Sequence, residues 1–370
     1  MAKNANLTSA AKAKNDEFYT QFDDIQRELN CYLEYDKNIF RDKTILMPCD
    51  DPEWSNFTKF FALNFNRYGL KKIISTSYAA DSKKINFNPQ ITLFGSESPN
   101  FNQEITNSRG KIFTLDRETI KTKNYPPDAL QFDYLEGDGD FRSDEVKKLF
   151  AEADVIITNP PFSLFREFLK QILDFDKKFL IIGNKNAITY KEVFPKIQEN
   201  KIWVGCTPMS KEVYFDVPQE FIDEGLENNK NRTIVKIEEK YMARSQAIWF
   251  TNLEHGRRHE PLRLMTLKDN IKYSHHKEIK NIGYKKYDNY DAIEVPFTDA
   301  IPKDYDGVMG VPITFLDKYC PEQFEILGAT ESEGKGFSNG LWDENSKIAQ
   351  ATINGEKVYK RLFIRRKSNS

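Results

Sequence analysis

What this chain lacks narrows its identity before any motif is considered. None of its apolar runs reaches the length of a bilayer span, which excludes a helical membrane protein, and the polar start Met1-Ala2-Lys3-Asn4 is no secretory signal. Cysteine is scarce. Cys31, Cys49, Cys206 and Cys320 are scattered without a C-x-x-C pair, so they read as reduced thiols of a cytoplasmic protein and not as a disulfide frame. His275 and His276 adjoin without ligand spacing, so no metal is assigned. There is no excess of either charge. With a net charge of −2, a nucleic-acid partner must be met by a local basic face. A Gly-rich phosphate loop is also missing, because the flexible stretch Gly334 to Gly340 lacks the spacing and the Lys-Ser/Thr ending. No internal repeat is evident.

What is present is a globular chain of 370 residues, 39% hydrophobic and 13% aromatic, long enough for one large or two ordinary domains. Its organising stretch is Asp154-Val155-Ile156-Ile157-Thr158-Asn159-Pro160-Pro161-Phe162. The β-branched run reads as a buried strand, which stops at Asn159 because two prolines can neither extend a ladder nor begin a helix there. Ser163 then caps a helix whose apolar face is Leu164, Phe165, Phe168, Leu169, Ile172 and Leu173. A rigid polar loop thus sits at the carboxyl end of a parallel strand, where open α/β sheets bind ligands.

That loop suits methyl transfer to the nitrogen of a planar conjugated group. The Asn159 side-chain oxygen and the Pro160 carbonyl each accept an amino hydrogen, freeing a delocalised lone pair, while Pro161 stiffens the corner and Phe162 stacks on the base. No titrating side chain is required. A purely structural Pro-Pro turn is the alternative.

Upstream, Tyr19 and Thr20 precede a helix through Ile25, Leu29 and Leu33, and either bind a carboxylate at its start or form a cap with a hydrophobic staple. Thr44 to Met47 reads as a strand ending in the turn Pro48-Cys49-Asp50-Asp51-Pro52, before a helix through Phe57, Phe60, Phe61 and Phe65. Asp50 or Asp51 holds an ammonium, or the turn is merely an acidic surface feature. Further strands are expected from Lys72 to Tyr78, Lys178 to Gly183, Ile202 to Cys206, Val213 to Val217, Ala247 to Thr251 and Tyr359 to Lys367. Residues 1 to 14 should be ordered only by a ligand or partner, and residues 80 to 130 show no readable elements. In Gly137-Asp138-Gly139-Asp140-Phe141, the glycines let backbone approach a ligand, an acid accepts from an adenine amino group and Phe141 stacks on the ring, unless this is only a tight turn before a helix at 143 to 152. Arg257 and Arg258 lie in a loop suited to phosphate contact, or simply solvated. The pattern predicts an α/β fold, a parallel sheet with an added antiparallel edge.

Asn15 to Gln21, Pro48 to Phe57, Gly137 to Phe141 and Asn159 to Arg166, with Trp249 to Leu262 and Asp304 to Leu316, together resemble the EcoRI-type DNA adenine-N6 methyltransferases over nearly the whole chain. The resemblance implies a Rossmann-like, S-adenosylmethionine-dependent catalytic domain over 1–255 and a C-terminal target-recognition region over 256–370. It implies that Tyr19 and Thr20 lie by the methionine end and that Asp50 and Asp51 sit in the turn replacing the usual glycine motif, with Pro48 and Cys49. Asp138, Asp140 and Phe141 would then lie near the cofactor adenine, with Asn159, Pro160, Pro161 and Phe162 on the target base. The expected substrate is an adenine flipped out of duplex DNA. The enzyme would be a cytoplasmic monomer, with a cognate restriction endonuclease acting on the same site. The rival readings are an RNA or protein-glutamine methyltransferase using the same loop, and a catalytically silent DNA-binding relative.

Overall fold

The computed structural model describes residues 19–79, 105, 108–122, 132–216, 234–237, 240–330 and 350–367. The expectations for residues 1 to 14, for the residues preceding Tyr19 and for the Gly334 to Gly340 loop lie outside the described residues. Two compact units emerge, one from Met1–Asn184 with Lys211–Leu253, the other from Lys185–Ser210 with Glu254–Ser370.

The first unit holds β1 (Tyr19–Thr20), β2 (Thr44–Met47), β3 (Lys72–Thr76), β4 (Lys111–Asp116), β5 (Asp133–Tyr134), β6 (Val155–Thr158) and β7 (Lys178–Asn184). After a segment belonging to the second unit, which includes the short β8 (Trp203–Val204), it resumes with β9 (Val213–Asp216), β10 (Ile234–Ile237), β11 (Lys240–Ser245) and β12 (Ala247–Thr251). Within this unit the central strands run in the order β5-β4-β3-β2-β6-β7-β12. Strands β3, β2, β6 and β7 are parallel, and every residue of β2 and β6 is buried, as their uninterrupted, largely apolar runs require. Both flanks are antiparallel, β4 and β5 on one side and β12 on the other, where the sequence suggested a single such edge. The extra flank comes from residues whose elements could not be read.

From β2 the chain crosses to β3 on one side and later to β6 on the other. The order therefore reverses between β2 and β6, and their carboxyl ends bound the crevice where such sheets take ligands. Helices α1 (Phe22–Tyr35), α3 (Asp144–Glu152) and α4 (Phe165–Asp174) each bury one face, α4 through Phe165, Phe168, Leu169 and Ile172, whereas α2 (Asn56–Leu63) is buried at every residue from Phe57 to Ala62. Ser55 and Ser143 cap α2 and α3. Ser163 caps nothing: a 3-10 turn over Phe162–Leu164 follows the prolines, and α4 starts a residue later from Leu164 without a side-chain cap. A second sheet, β1-β9-β11-β10, is antiparallel throughout and pairs Thr20 with Phe215.

The second unit contains α5 (Leu267–Tyr273) and a sheet in the order β13-β14-β18-β15, from β13 (Ile293–Glu294), β14 (Met309–Pro312), β15 (Phe324–Ala329) and the basic β18 (Arg361–Arg366); a small hairpin, β16 (Thr352–Ile353) with β17 (Glu356–Lys357), precedes the last strand. Tyr287 and Tyr290 pack around Phe363 in its core. Arg361 and Glu294 form a nearly buried ion pair at 2.6 Å, and the Tyr287 hydroxyl donates to the same carboxylate. Among the described cysteines, Cys49 and Cys320 stand outside any disulfide but Cys31 and Cys206 do not, so four reduced thiols is corrected to two. No described helix is long and apolar enough to cross a membrane.

Gly183, on β7, leaves the space that the Phe165 ring fills at the start of α4, since a Cβ there would lie 2.3 Å from that ring. Gly183→Ala should destabilise the protein by about 1–3 kcal/mol through overpacking and displace the helix that follows the Asn159 loop. Urea denaturation measures the first effect; an unchanged midpoint would show that Phe165 yields freely.

Candidate active site

Two loops meet at the reversal point. Asp50 follows β2 and is 6% exposed, so the acidic turn is not a surface feature. Its carboxylate accepts from the Ser55 hydroxyl at 2.7 Å, from the Thr158 hydroxyl, and from the Asn159 backbone N–H. The hydroxyl polarity is set elsewhere. Ser55 Oγ accepts from Phe57 N and Thr158 Oγ1 from Cys49 N, which leaves both hydroxyl protons to point at Asp50. Burial pushes the Asp50 pKa up to about 6, while these donors pull it back. The turn is pinned on its other side by Asp50 N to Thr76 O at 3.0 Å and by Thr76 Oγ1 to Pro48 O at 3.2 Å.

Asp51 faces a different partner. Lys111 on β4, 2% exposed, places its ammonium 3.1 Å from Asp51 and 2.9 Å from Glu53. Burial lowers the lysine pKa and the two carboxylates more than offset it, so it lies above the ordinary value. The trio carries one net negative charge.

Beyond Thr158, Asn159 is half-buried, Pro160 buried, and Pro161 and Phe162 half-buried. The Pro161 carbonyl accepts from Leu164 N at 3.0 Å, which closes the 3-10 turn. Thr20 is 3% exposed, and its carbonyl accepts from Asn56 Nδ2 at 2.8 Å, tying β1 to the start of α2. Thr20 Oγ1 and Gln21 Nε2, at the start of α1, are buried without a hydrogen-bond partner among the described residues. Asp23 and Asp24 already complement the α1 dipole, so these two orphaned groups are what fit an incoming carboxylate.

The Gly137 to Phe141 turn reaches the end of β3, where the Asp138 carbonyl accepts from Ala79 N at 2.7 Å. Gly139 has φ +81°, and a Cβ on it would lie 2.1 Å from the Ser77 carbonyl. The close approach that needs this glycine is to neighbouring backbone. Asp140 binds Arg142 at 2.6 Å, and the Arg142 hydrogen bonds hold its carboxyl below the usual range. Phe141 is 5% exposed and packs edge-on to Phe168, while Asp138 is exposed.

In the second unit, Arg257 is exposed and donates to Cys206 O at 2.6 Å. Arg258, by contrast, is 7% exposed, lies over the Trp203 ring at 3.9 Å and donates to Asn200 Oδ1 at 3.1 Å. The pair therefore does not present two equivalent cations. Both line a shallow pocket with His255, Trp203, Asp317 and Tyr319. Burial pushes His255 down to about 4, and Asp317, which accepts from Met209 N, up to about 6.

Ser55, Asn56, Glu53, Lys111 and Thr158 were assigned no role by the sequence reading. Only the polar residues following the acidic turn hinted at the first three.

A parallel α/β core with a ligand crevice at its reversal point and an Asn-Pro-Pro-Phe loop in that crevice defines a Rossmann-like methyltransferase. Residues 6–367 match the family model described as adenine-specific methyltransferase EcoRI. The chain is 40% identical to the type II methyltransferase M.EcoRI of Escherichia coli, over 99% of each chain. It is 34% identical to the type II methyltransferase M.MpnI of Mycoplasma pneumoniae, over 97% of this chain and 98% of that one, and 33% identical to M.MgeORF184P of Mycoplasma genitalium, over 96% and 97%. No solved structure matches. The chain belongs to the EcoRI family of adenine-specific methyltransferases, as a type II DNA adenine methyltransferase of restriction–modification systems.

Thr158→Val removes one donor from a buried carboxylate and should lower stability by about 2 kcal/mol. It should also slow methyl transfer more than it weakens donor binding, which single-turnover kinetics and a binding titration separate. His255 has a depressed folded-state pKa, so between about 6.5 and 4 the unfolded chain takes up a proton that the folded chain refuses. Stability at this residue is lost as pH falls through that window, whereas Asp50 and Asp317, both raised to about 6, favour the folded state on acidification from 6 toward 4. His255→Gln should therefore become more stable relative to the wild type as pH falls from about 6.5 to 4, as urea titrations measure; superimposable wild-type and variant curves would rule this out.

Proposed function

We propose that the enzyme transfers a methyl group from S-adenosylmethionine to the N6 amine of an adenine turned out of duplex DNA. The observation that supports this best is the junction of Asp50 with Thr158 and the Asn159 N–H, which locks the base-binding corner to the first turn of the sheet. S-Adenosylmethionine, when bound, supplies a sulfonium methyl group as electrophile. Thr20 and Gln21 hold its carboxylate, with Tyr19 beside them. The Asp51–Glu53–Lys111 trio, through its net negative charge, attracts the ammonium. Pro48, Cys49 and Asp138 line the cofactor, while Asp140 and Phe141 support that wall through Arg142 and Phe168. Asp50 acts one step removed, holding Asn159.

At the target, the Asn159 amide oxygen and the Pro160 carbonyl accept the two amino hydrogens, which localises the nitrogen lone pair toward the methyl group. Pro161 fixes the spacing of those acceptors. Phe162 stacks on the extruded purine and offsets part of the few kcal/mol needed to unstack it. The surplus proton passes to solvent, since neither acceptor is basic enough to retain it. Residues 1–255 act as the catalytic domain and 256–370 as the target-recognition region, where exposed Arg257 contacts phosphate and buried Arg258 braces the same loop. The enzyme works as a monomer in the cytoplasm, beside an endonuclease that cuts the same sequence.

Tritiated-methyl transfer to DNA followed by nucleoside analysis should yield N6-methyladenine. Asn159→Ala should lower turnover by about 10²–10³-fold while donor binding persists. A near-normal rate in that variant would remove Asn159 from the reaction.

A further inference from the structure

The helix α5 of the second unit ends at Ser274, whose hydroxyl accepts from His276 N at 3.1 Å. The next two residues are His275 and His276. Neighbours in an extended chain project to opposite sides, yet here both rings lie together, centroids 3.8 Å apart. Each presents Nε2 to a different oxygen of Asp299, His276 at 2.8 Å from Oδ1 and His275 at 3.7 Å from Oδ2. The His276 ring is stacked on Phe297 at 3.6 Å and 2°, and its side chain is only 17% exposed, so one imidazole is held rigidly. His275 and Asp299, 77% and 61% exposed, are free to adjust around it.

Ion pairing does not account for this convergence. Exposed His–Asp pairs in water contribute at most about 1 kcal/mol and pay side-chain entropy. Three ligand atoms, two imidazole nitrogens and one carboxylate oxygen, all lie within 4.8 Å of one another. A single ion with metal–ligand distances of about 2.0–2.2 Å fits such a cluster after small rotations of the two exposed side chains. We propose that His275, His276 and Asp299 form a binding site for a divalent transition metal. Two imidazoles select zinc, nickel or copper over magnesium and calcium, which prefer all-oxygen cages. The remaining coordination positions open to water.

The position gives the ion a structural consequence. Asp299 belongs to the turn Thr298–Ala300, whose Ala300 carbonyl already accepts from Asn270 Nδ2 of α5 at 3.2 Å and from the Tyr284 hydroxyl at 2.6 Å. A metal bridging Asp299 to the residues after α5 would staple the end of that helix to the turn. Binding the folded state and not the unfolded one, it would raise the melting temperature, increasing with the logarithm of ion concentration above the dissociation constant.

The test uses the untagged full-length protein, stripped with chelator and titrated calorimetrically with zinc and separately with nickel. Two variants are compared, His275→Ala and Asp299→Asn, both at exposed positions where the fold should survive. The wild type should bind one more equivalent of zinc or nickel than either variant and show a metal-dependent rise in melting temperature that both variants lose. The metal-free melting temperature and circular dichroism should match across all three. Equal stoichiometry in the wild type and the variants, or equal retention with magnesium in place of zinc, would overturn the site. Methylation activity enters neither outcome, so failure here leaves the catalytic reading untouched.

Discussion

One buried carboxylate ties the Asn159 to Phe162 corner to the first turn of the sheet. Asp50 sits between the ends of two parallel strands and gathers donors from both sides, Ser55 from its own turn and Thr158 with the Asn159 N–H from the strand beside it. A buried charge without partners is costly, and three donors offset part of that cost, although burial still outweighs them. The same three bonds bring two loops, distant in sequence, into one rigid unit. In the proposed reaction, where no side chain titrates, rate would depend on placement, and that junction would set it.

Around it, the protein uses one device repeatedly: a side chain is omitted where another group must pass. Gly183 yields to the Phe165 ring, Gly139 to the Ser77 carbonyl and Gly310 to the Tyr287 ring, whose hydroxyl would lie 2.2 Å from an added Cβ. The first sets the start of the helix behind the catalytic loop, and the second brings the Asp138 turn against the end of β3. The third lets Tyr287 reach the Glu294–Arg361 pair in the second unit. In all three cases the missing Cβ provides a close approach that no larger residue allows.

The central strands were legible because short runs such as the β-branched Val155 to Thr158 and the apolar Phe179 to Ile182 have a local signature, and the turn at Asn159 to Phe162 was legible because two prolines after a strand leave few conformations. The rest depended on register. That Thr158 would meet Asp50, 108 positions earlier, follows from β2 and β6 lying side by side, and no periodicity in either strand encodes it. Lys111 meets Asp51 through β4, in a stretch where apolar residues alternate with Asn, Pro and Lys and no element stands out. Ser163 resembled a cap, but the helix start slipped past it because Pro161 closed a 3-10 turn first. Arg257 and Arg258 are adjacent and chemically identical in sequence. The Trp203 ring and Asn200, which only the fold brings to Arg258, distinguish the buried one from the exposed one.

The Lys111 trio bears on how ionic strength acts on the enzyme. With the lysine 2% exposed and its two acids 11% and 18% exposed, dissolved salt cannot enter among them, whereas protein–DNA phosphate contacts weaken steeply as counterions compete. If the trio borders the methyl-donor pocket as proposed, raising salt should loosen the hold on DNA while that pocket keeps its electrostatics, giving the two ligands of one enzyme different sensitivities to their surroundings.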